Sequence, residues 1–240
     1  MKKLFFVIVL TSSFFACEKD TTTNVPVKEV TQNPTSSYGP NITDTENNPY
    51  KTVTIGTQQW MAENLKVSKY NDGTAIPNIT DNTIWQNNTS GAWAYNNNDL
   101  ANNAKYGKLY NWYAISPTMN GNKNVCPAGW HVPTDAEWTV LTDYLGGESV
   151  AGGKLKEVGT TSWNSPNTEA ANTFLFSALP GGGRLNYGFS GDIGDYGYWW
   201  SSVEDDTDKA RSHLLNYYSG YAHRLNSSKS YGLSVRCLRD

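Results

Sequence analysis

Cys126-Pro-Ala-Gly-Trp-His-Val-Pro-Thr-Asp-Ala-Glu-Trp138 is the stretch on which the reading of the chain from Tyr50 onward turns. Thr134 is a good N-cap and Glu137 stands three positions later, so the pair forms a capping-box pattern. Behind it Trp138, Leu141, Tyr144 and Leu145 recur at helical spacing, and Gly146-Gly147 ends the run. A loop fixed by Cys126 and Pro127 therefore feeds a helix over 135–145 that carries Trp138 into a core.

Around this stretch lie 240 residues, enough for one large domain or two small ones. Charged residues make up 17% and the net charge is -3, with no basic block, which argues against a nucleic-acid partner. Mean hydropathy is -0.57, and no apolar run beyond the first seventeen residues is long enough to span a bilayer.

Lys2 and Lys3 followed by Leu4–Leu10 and Phe14-Phe15 form the positive and apolar regions of a signal peptide over residues 1–16. Small Ala16 precedes Cys17, which looks like a bacterial lipobox, with Phe14 where Leu is commoner. Lipid attachment at Cys17 is the expectation, and ordinary secretion is the alternative. Loss of Lys2 and Lys3 takes the net charge from -3 to -5. Three cysteines are odd in number. With Cys17 lipidated, Cys126 and Cys237 remain as a pair for a disulfide in an oxidising compartment, the alternative being two buried thiols.

Residues 17–42 are rich in Thr, Asn, Pro and Ser without periodicity and read as a tether, leaving 43–240 as the folded body. Tyr50–Ile55 alternates as a strand. The Asn-rich segment 71–105 is expected to hold long loops with short strands near Trp85 and Trp93. Gly107–Ile115 places Leu109, Trp112 and Tyr113 on one helical face, and a further helix is expected over Ser149–Val158, capped by Ser149. Phe174–Leu179, Tyr196–Ser202, His213–Tyr218 and Gly232–Leu238 read as strands, and Gly181-Gly-Gly as a flexible turn. Helices in the middle and strands at both ends predict an α+β fold with one mainly antiparallel sheet.

These residues resemble the Fibrobacter succinogenes major paralogous domain. The resemblance is carried by Tyr50-Lys-Thr-Val-Thr-Ile-Gly, Gln59-Trp-Met-Ala-Glu-Asn-Leu, Gly107-Lys-Leu-Tyr-Asn-Trp, the stretch quoted above, Phe176-Ser-Ala-Leu-Pro-Gly-Gly, Trp199-Trp-Ser-Ser and Tyr231-Gly-Leu-Ser-Val-Arg-Cys-Leu-Arg-Asp. That family has no general activity assigned, and its members are typically exported or lipid-anchored. More loosely, Val132-Pro-Thr-Asp-Ala-Glu-Trp138 and Gly232-Leu-Ser-Val-Arg are similar to signatures of formylglycine-generating, sulfatase-modifying domains. This similarity implies a C-type lectin-like fold, with two or three helices on a twisted antiparallel sheet and long irregular loops. Oxidases of that superfamily use a late cysteine pair that binds copper, whereas no cysteine lies between Trp199 and Arg236 here. Their chemistry is not expected.

Other catalytic patterns are missing as well. His131, His213 and His223 lack zinc-type spacing, and there is no Gly-x-Ser-x-Gly elbow. His131 is read as a packed, hydrogen-bonded residue. Two features suit binding. Asp192, Asp195, Glu204, Asp205, Asp206 and Asp208 supply hard oxygen ligands suited to calcium, or form a solvated acidic loop. Tyr187, Phe189, Tyr196, Tyr198, Trp199, Trp200, Tyr217, Tyr218 and Tyr221 supply an aromatic platform for a sugar face or a protein partner, or pack as core. The expectation is a lipid-anchored surface module of the bacterial outer membrane that binds a glycan or protein without catalysis, touching the membrane only through its lipid and needing no cofactor unless calcium. A structural subunit of a surface complex is the alternative, and a formylglycine-generating-like enzyme a remote one.

Overall fold

Asp44 folds the chain back on itself. Its carboxylate accepts from the backbone N–H of Glu46 and Asn48, from the Asn48 amide and from the Tyr50 hydroxyl at 2.6 Å. Strand β1 (Gly39–Thr43) is thereby returned antiparallel onto β2 (Pro49–Ile55). The first strand thus begins inside the segment read as tether. This computed structural model describes residues 37–185 and 190–240. The signal peptide, Cys17, Tyr187 and Phe189 lie outside the described residues.

The chain continues through β3 (Gln58–Met61), α1 (Asn82–Asn87), β4 (Trp93–Ala94), α2 (Ala101–Tyr106), β5 (Leu109–Tyr110), α3 (Trp112–Ile115) and α4 (Pro117–Asn120). Then come β6 (Trp130–His131), α5 (Asp135–Tyr144), α6 (Glu148–Leu155) and β7 (Gly181–Arg184). The last strands are β8 (Ser190–Ile193), β9 (Tyr196–Glu204), β10 (Lys209–Asn216), β11 (His223–Ser228) and β12 (Leu238–Arg239). The fold is α+β, but in place of one sheet there are two of five strands, ordered β1-β2-β3-β12-β6 and β11-β10-β9-β7-β8, with a two-stranded ribbon of β4 and β5. Pairing is antiparallel except between β7 and β9. No helix among the described residues is long and apolar enough to cross a membrane.

Asparagine and aspartate caps account for two of the departures from the sequence reading. Asp81 caps α1, so Trp85 stands on a helix and not a strand. The Asn111 side chain accepts from Ala114 N–H and also from Ala92 N–H, which splits Gly107–Ile115 into a strand and one helical turn. Two or three helices were expected, and the described residues hold six, four of them shorter than two turns. Phe174–Leu179 is not a strand. Leu175 and Ser177 adopt positive φ, Phe176 is buried, and Arg236 donates to the Phe176 and Ser177 carbonyls. Gly181–Gly183 is not a flexible turn, because β7 runs fully buried between β8 and β9. Helix α6 starts after Gly147 with no side-chain cap, and Val158 lies beyond it and exposed. Most of Gly232–Leu238 is held by single bridges, such as Tyr110 with Leu233 and Trp199 with Ser234.

Helix α5 carries the capping box Thr134–Glu137 and buries Trp138 against Trp60, with ring centroids 4.8 Å apart. Strand β9 separates two cores because successive side chains point to opposite faces. Trp199 belongs to the core that holds Trp60, Trp138 and Phe176, while Trp200 belongs to the one that holds Tyr110 and Trp112. Each indole N–H is bound inside, to Asn64 Oδ1 at 2.9 Å and to the Tyr110 carbonyl at 2.7 Å. Cys126 and Cys237 form a disulfide across 111 residues of sequence.

Candidate functional site

The aromatic residues singled out by sequence divide into two groups. Trp199 and Trp200 are 1% and 0% exposed and serve the two cores, so neither belongs to a surface platform. The tyrosines gather where β9 begins and β10 ends, Tyr196 facing Asn216 in register. Tyr196 and Tyr198 share one face of β9, their rings stacked at 5.8 Å and 26°. Tyr218 stands edge-on to Tyr196 at 6.3 Å and 87°, and Tyr217 edge-on to Tyr218 at 5.2 Å and 90°. Tyr218 and Tyr221 are half exposed, at 53% and 50%. Tyr221 sits apart from the other four, stacked on His223 at 5.7 Å.

A buried lysine that no sequence pattern singles out holds this rim. The Lys156 ammonium donates to the carbonyls of Thr168, Asn216 and Ser219 at 2.8–2.9 Å, two of them flanking Tyr217 and Tyr218. Burial pulls its pKa down to about 8. Helix α6 comes so close that a Cβ on Gly152 would lie 2.2 Å from the Tyr221 carbonyl oxygen, which explains a glycine pair inside a helix.

Two carboxylates complete the rim. Tyr198 Oη donates to Asp192 Oδ2 at 3.3 Å, and the Asn164 amide donates to Asp195 Oδ1 at 2.8 Å. A hydrogen bond with Tyr218 raises the Tyr196 hydroxyl to about 12, while burial and Asp192 push Tyr198 upward. Neither Asp192 nor Asp195 makes an ion pair among the described residues.

The other acids stand elsewhere. Glu204 lies at the far end of β9, about 26 Å along an extended strand from Tyr196. There Glu204 pairs with Lys229, Asp205 with Arg211 at 2.7 Å, and Asp206 accepts the N–H groups of Asp208 and Lys209 at 2.8 Å. The acidic run proposed for calcium is therefore split between two ends of the strand. Among the described residues no three His, Cys, Asp or Glu converge as a metal site.

The far end also holds a cluster that sequence reasoning passed over. His131 lines a cleft of about 290 Å³ together with Ile115, Pro117, Asn122, Lys123 and Ser202. It is hydrogen-bonded as expected, but one third exposed and not packed away. Its Nδ1 lies 2.7 Å from Asp240 Oδ1 and its Nε2 lies 3.0 Å from Glu137 Oε1. Glu137 accepts from Thr134 N–H and Oγ, so the capping box itself aims this carboxylate at His131. Burial raises the Glu137 carboxyl, but hydrogen bonds from Thr134 and the nearby His131 leave it below the ordinary value. An imidazole between carboxylates has the composition of a general base. Here both ring nitrogens already face carboxylates of the same chain, so none is turned toward a substrate.

The family model described as Fibrobacter succinogenes major domain matches residues 53–239. No curated protein and no solved structure matches the chain.

Proposed function

Because the chain belongs to the Fibrobacter succinogenes major domain family, we propose that it is a non-catalytic binding or adhesion module with a C-type lectin-like body. It is exported, anchored to the bacterial outer membrane by a lipid on Cys17, displayed at the cell surface, and recognises a glycan or a surface protein. The observation that carries this reading is the rim of Tyr196, Tyr198, Tyr217 and Tyr218, four rings assembled at the ends of two strands with Tyr218 half exposed. Flat amphipathic rings of this kind stack on sugar faces or anchor protein partners. The lack of any cysteine between Trp199 and Arg236 supports a role without oxidase chemistry.

The test is a glycan array with the full chain, run in calcium and again in chelator, alongside Tyr218→Ala. Binding in both conditions that falls at least about tenfold in the variant is the expected result, given the energy a buried aromatic contact supplies. Loss in chelator alone would transfer the site to a calcium ion. No binding by well-folded protein would remove the glycan and leave the protein partner. A second reading, an assembly subunit, draws on β11, a six-residue edge strand of the second sheet.

A further inference from the structure

We propose that the tyrosine rim selects a cationic ligand, and that the ligand is a glycan bearing free amines, an oligosaccharide of unacetylated amino sugars. This rests on the reading of the rim as the binding surface and adds the charge of what it binds.

At the rim, rings and carboxylates stand side by side without a cation of the chain over or against them among the described residues. Its own cations lie over ring faces in many places, as Lys108 does over Trp93 at 4.7 Å, Lys229 over Trp112 at 5.0 Å and Arg184 over Trp85 at 4.5 Å. Among the described residues no Lys or Arg lies over any tyrosine of the rim. The carboxylates follow the same division. At the far end of β9, Glu204 and Asp205 are paired with Lys229 and Arg211, while among the described residues Asp192 and Asp195 have only neutral side-chain partners, Tyr198 and Asn164.

Electron-rich faces set at right angles, with two uncompensated carboxylates beside them, attract an ammonium group from outside. A sugar supplies what the remaining ring surface needs, an apolar C–H face to cover Tyr218. An amino sugar presents both groups within one ring.

The experiment measures binding of the full chain, in detergent, to a β-1,4-linked glucosamine hexamer and to its fully N-acetylated twin. The amine form is expected to bind about tenfold more tightly, consistent with one cation–π contact plus a nearby carboxylate. That preference should shrink as salt rises. Asp192→Asn should erase most of the preference while sparing the acetylated hexamer, and Tyr218→Ala should weaken both. Asn tolerates the left-handed backbone at this position (φ 66°), so the first variant is expected to fold.

Equal or tighter binding of the acetylated form overturns the inference, and so does a preference that survives both variants. Tighter binding of a lysine-rich peptide, lost in the same variants, overturns the sugar assignment in favour of a protein. If neutral glycans bind the array through Tyr218 with no amine preference, only this inference fails. If neither hexamer nor array binds and Tyr218→Ala changes nothing, the rim itself is not a binding surface.

Discussion

Strand β9 connects two surfaces that use polar residues in opposite ways. At the Ser202 end several charges are answered from within: His131 faces Glu137 and Asp240, Glu204 faces Lys229, and Asp205 faces Arg211. At the Tyr196 end, among the described residues, no Lys or Arg lies over the rings and the carboxylates meet only neutral side-chain donors. A satisfied polar cluster rigidifies its surroundings, whereas groups left without a counter-charge keep interaction energy for something outside the chain. A cleft lined by histidine draws the eye first. The comparison favours the shallower rim.

The strongest way to break this comparison is to loosen one end and observe the other. Replacing Cys126 and Cys237 by serine should cost about 4 kcal/mol, from the entropy released to a loop of over a hundred residues. Urea denaturation reads this loss, and glycan binding per folded molecule should be unchanged. Lost binding in protein that is still folded would mean that the two ends are mechanically coupled.

A smaller effect appears in acid. Asp135, at the start of α5, receives the Arg224 guanidinium through Nε at 2.7 Å, with His213 Nε2 3.5 Å away. Burial raises this carboxyl, but His213 and Arg224 hold it at about 2. A depressed carboxyl lends stability that is complete above the ordinary value near 4 and drains away as pH falls toward 2. Asp135→Asn should therefore lose about 2 kcal/mol at neutral pH and show a flatter stability curve between about pH 4 and 2. Parallel curves for variant and parent would show that the depression is not set by this cluster.

The smallest change expected is His131→Gln. Its contacts are partly solvated, so stability should move by less than about 1 kcal/mol, with rim binding unaltered. A large fall in binding would relocate the site to the cleft and reverse the comparison.

The elements legible in the sequence are those whose determinants are local. Thr134 and Glu137 announce α5, alternation announces β2, aromatic residues announce β9, and the parity of three cysteines points to the pair Cys126 and Cys237. Where the determinant is distant the pattern misleads. Phe176 is apolar in an apolar run, yet its backbone follows Arg236 out of strand geometry. Trp199 and Trp200 announce a strand with aromatics on both faces, but nothing local states which distant residues cover each face. The acids from Asp192 to Asp206 look like one set because they are close in sequence, and an extended strand between them pulls the set apart. The rim tyrosines were legible as candidates. Lys156, which seats them, was not, because a lysine bound to three carbonyls resembles any surface lysine until those carbonyls are in place.

The order of the first sheet has a consequence in time. Strand β12 is last along the chain yet lies between β3 and β6, with Leu238 opposite Trp60 on one side and His131 on the other. Until those residues arrive, β6 has no neighbour through which to join the sheet, and Cys237 is not present to close the disulfide. The sheet therefore cannot be completed strand by strand as the polypeptide emerges. Long-range pairing of this kind folds late and slowly.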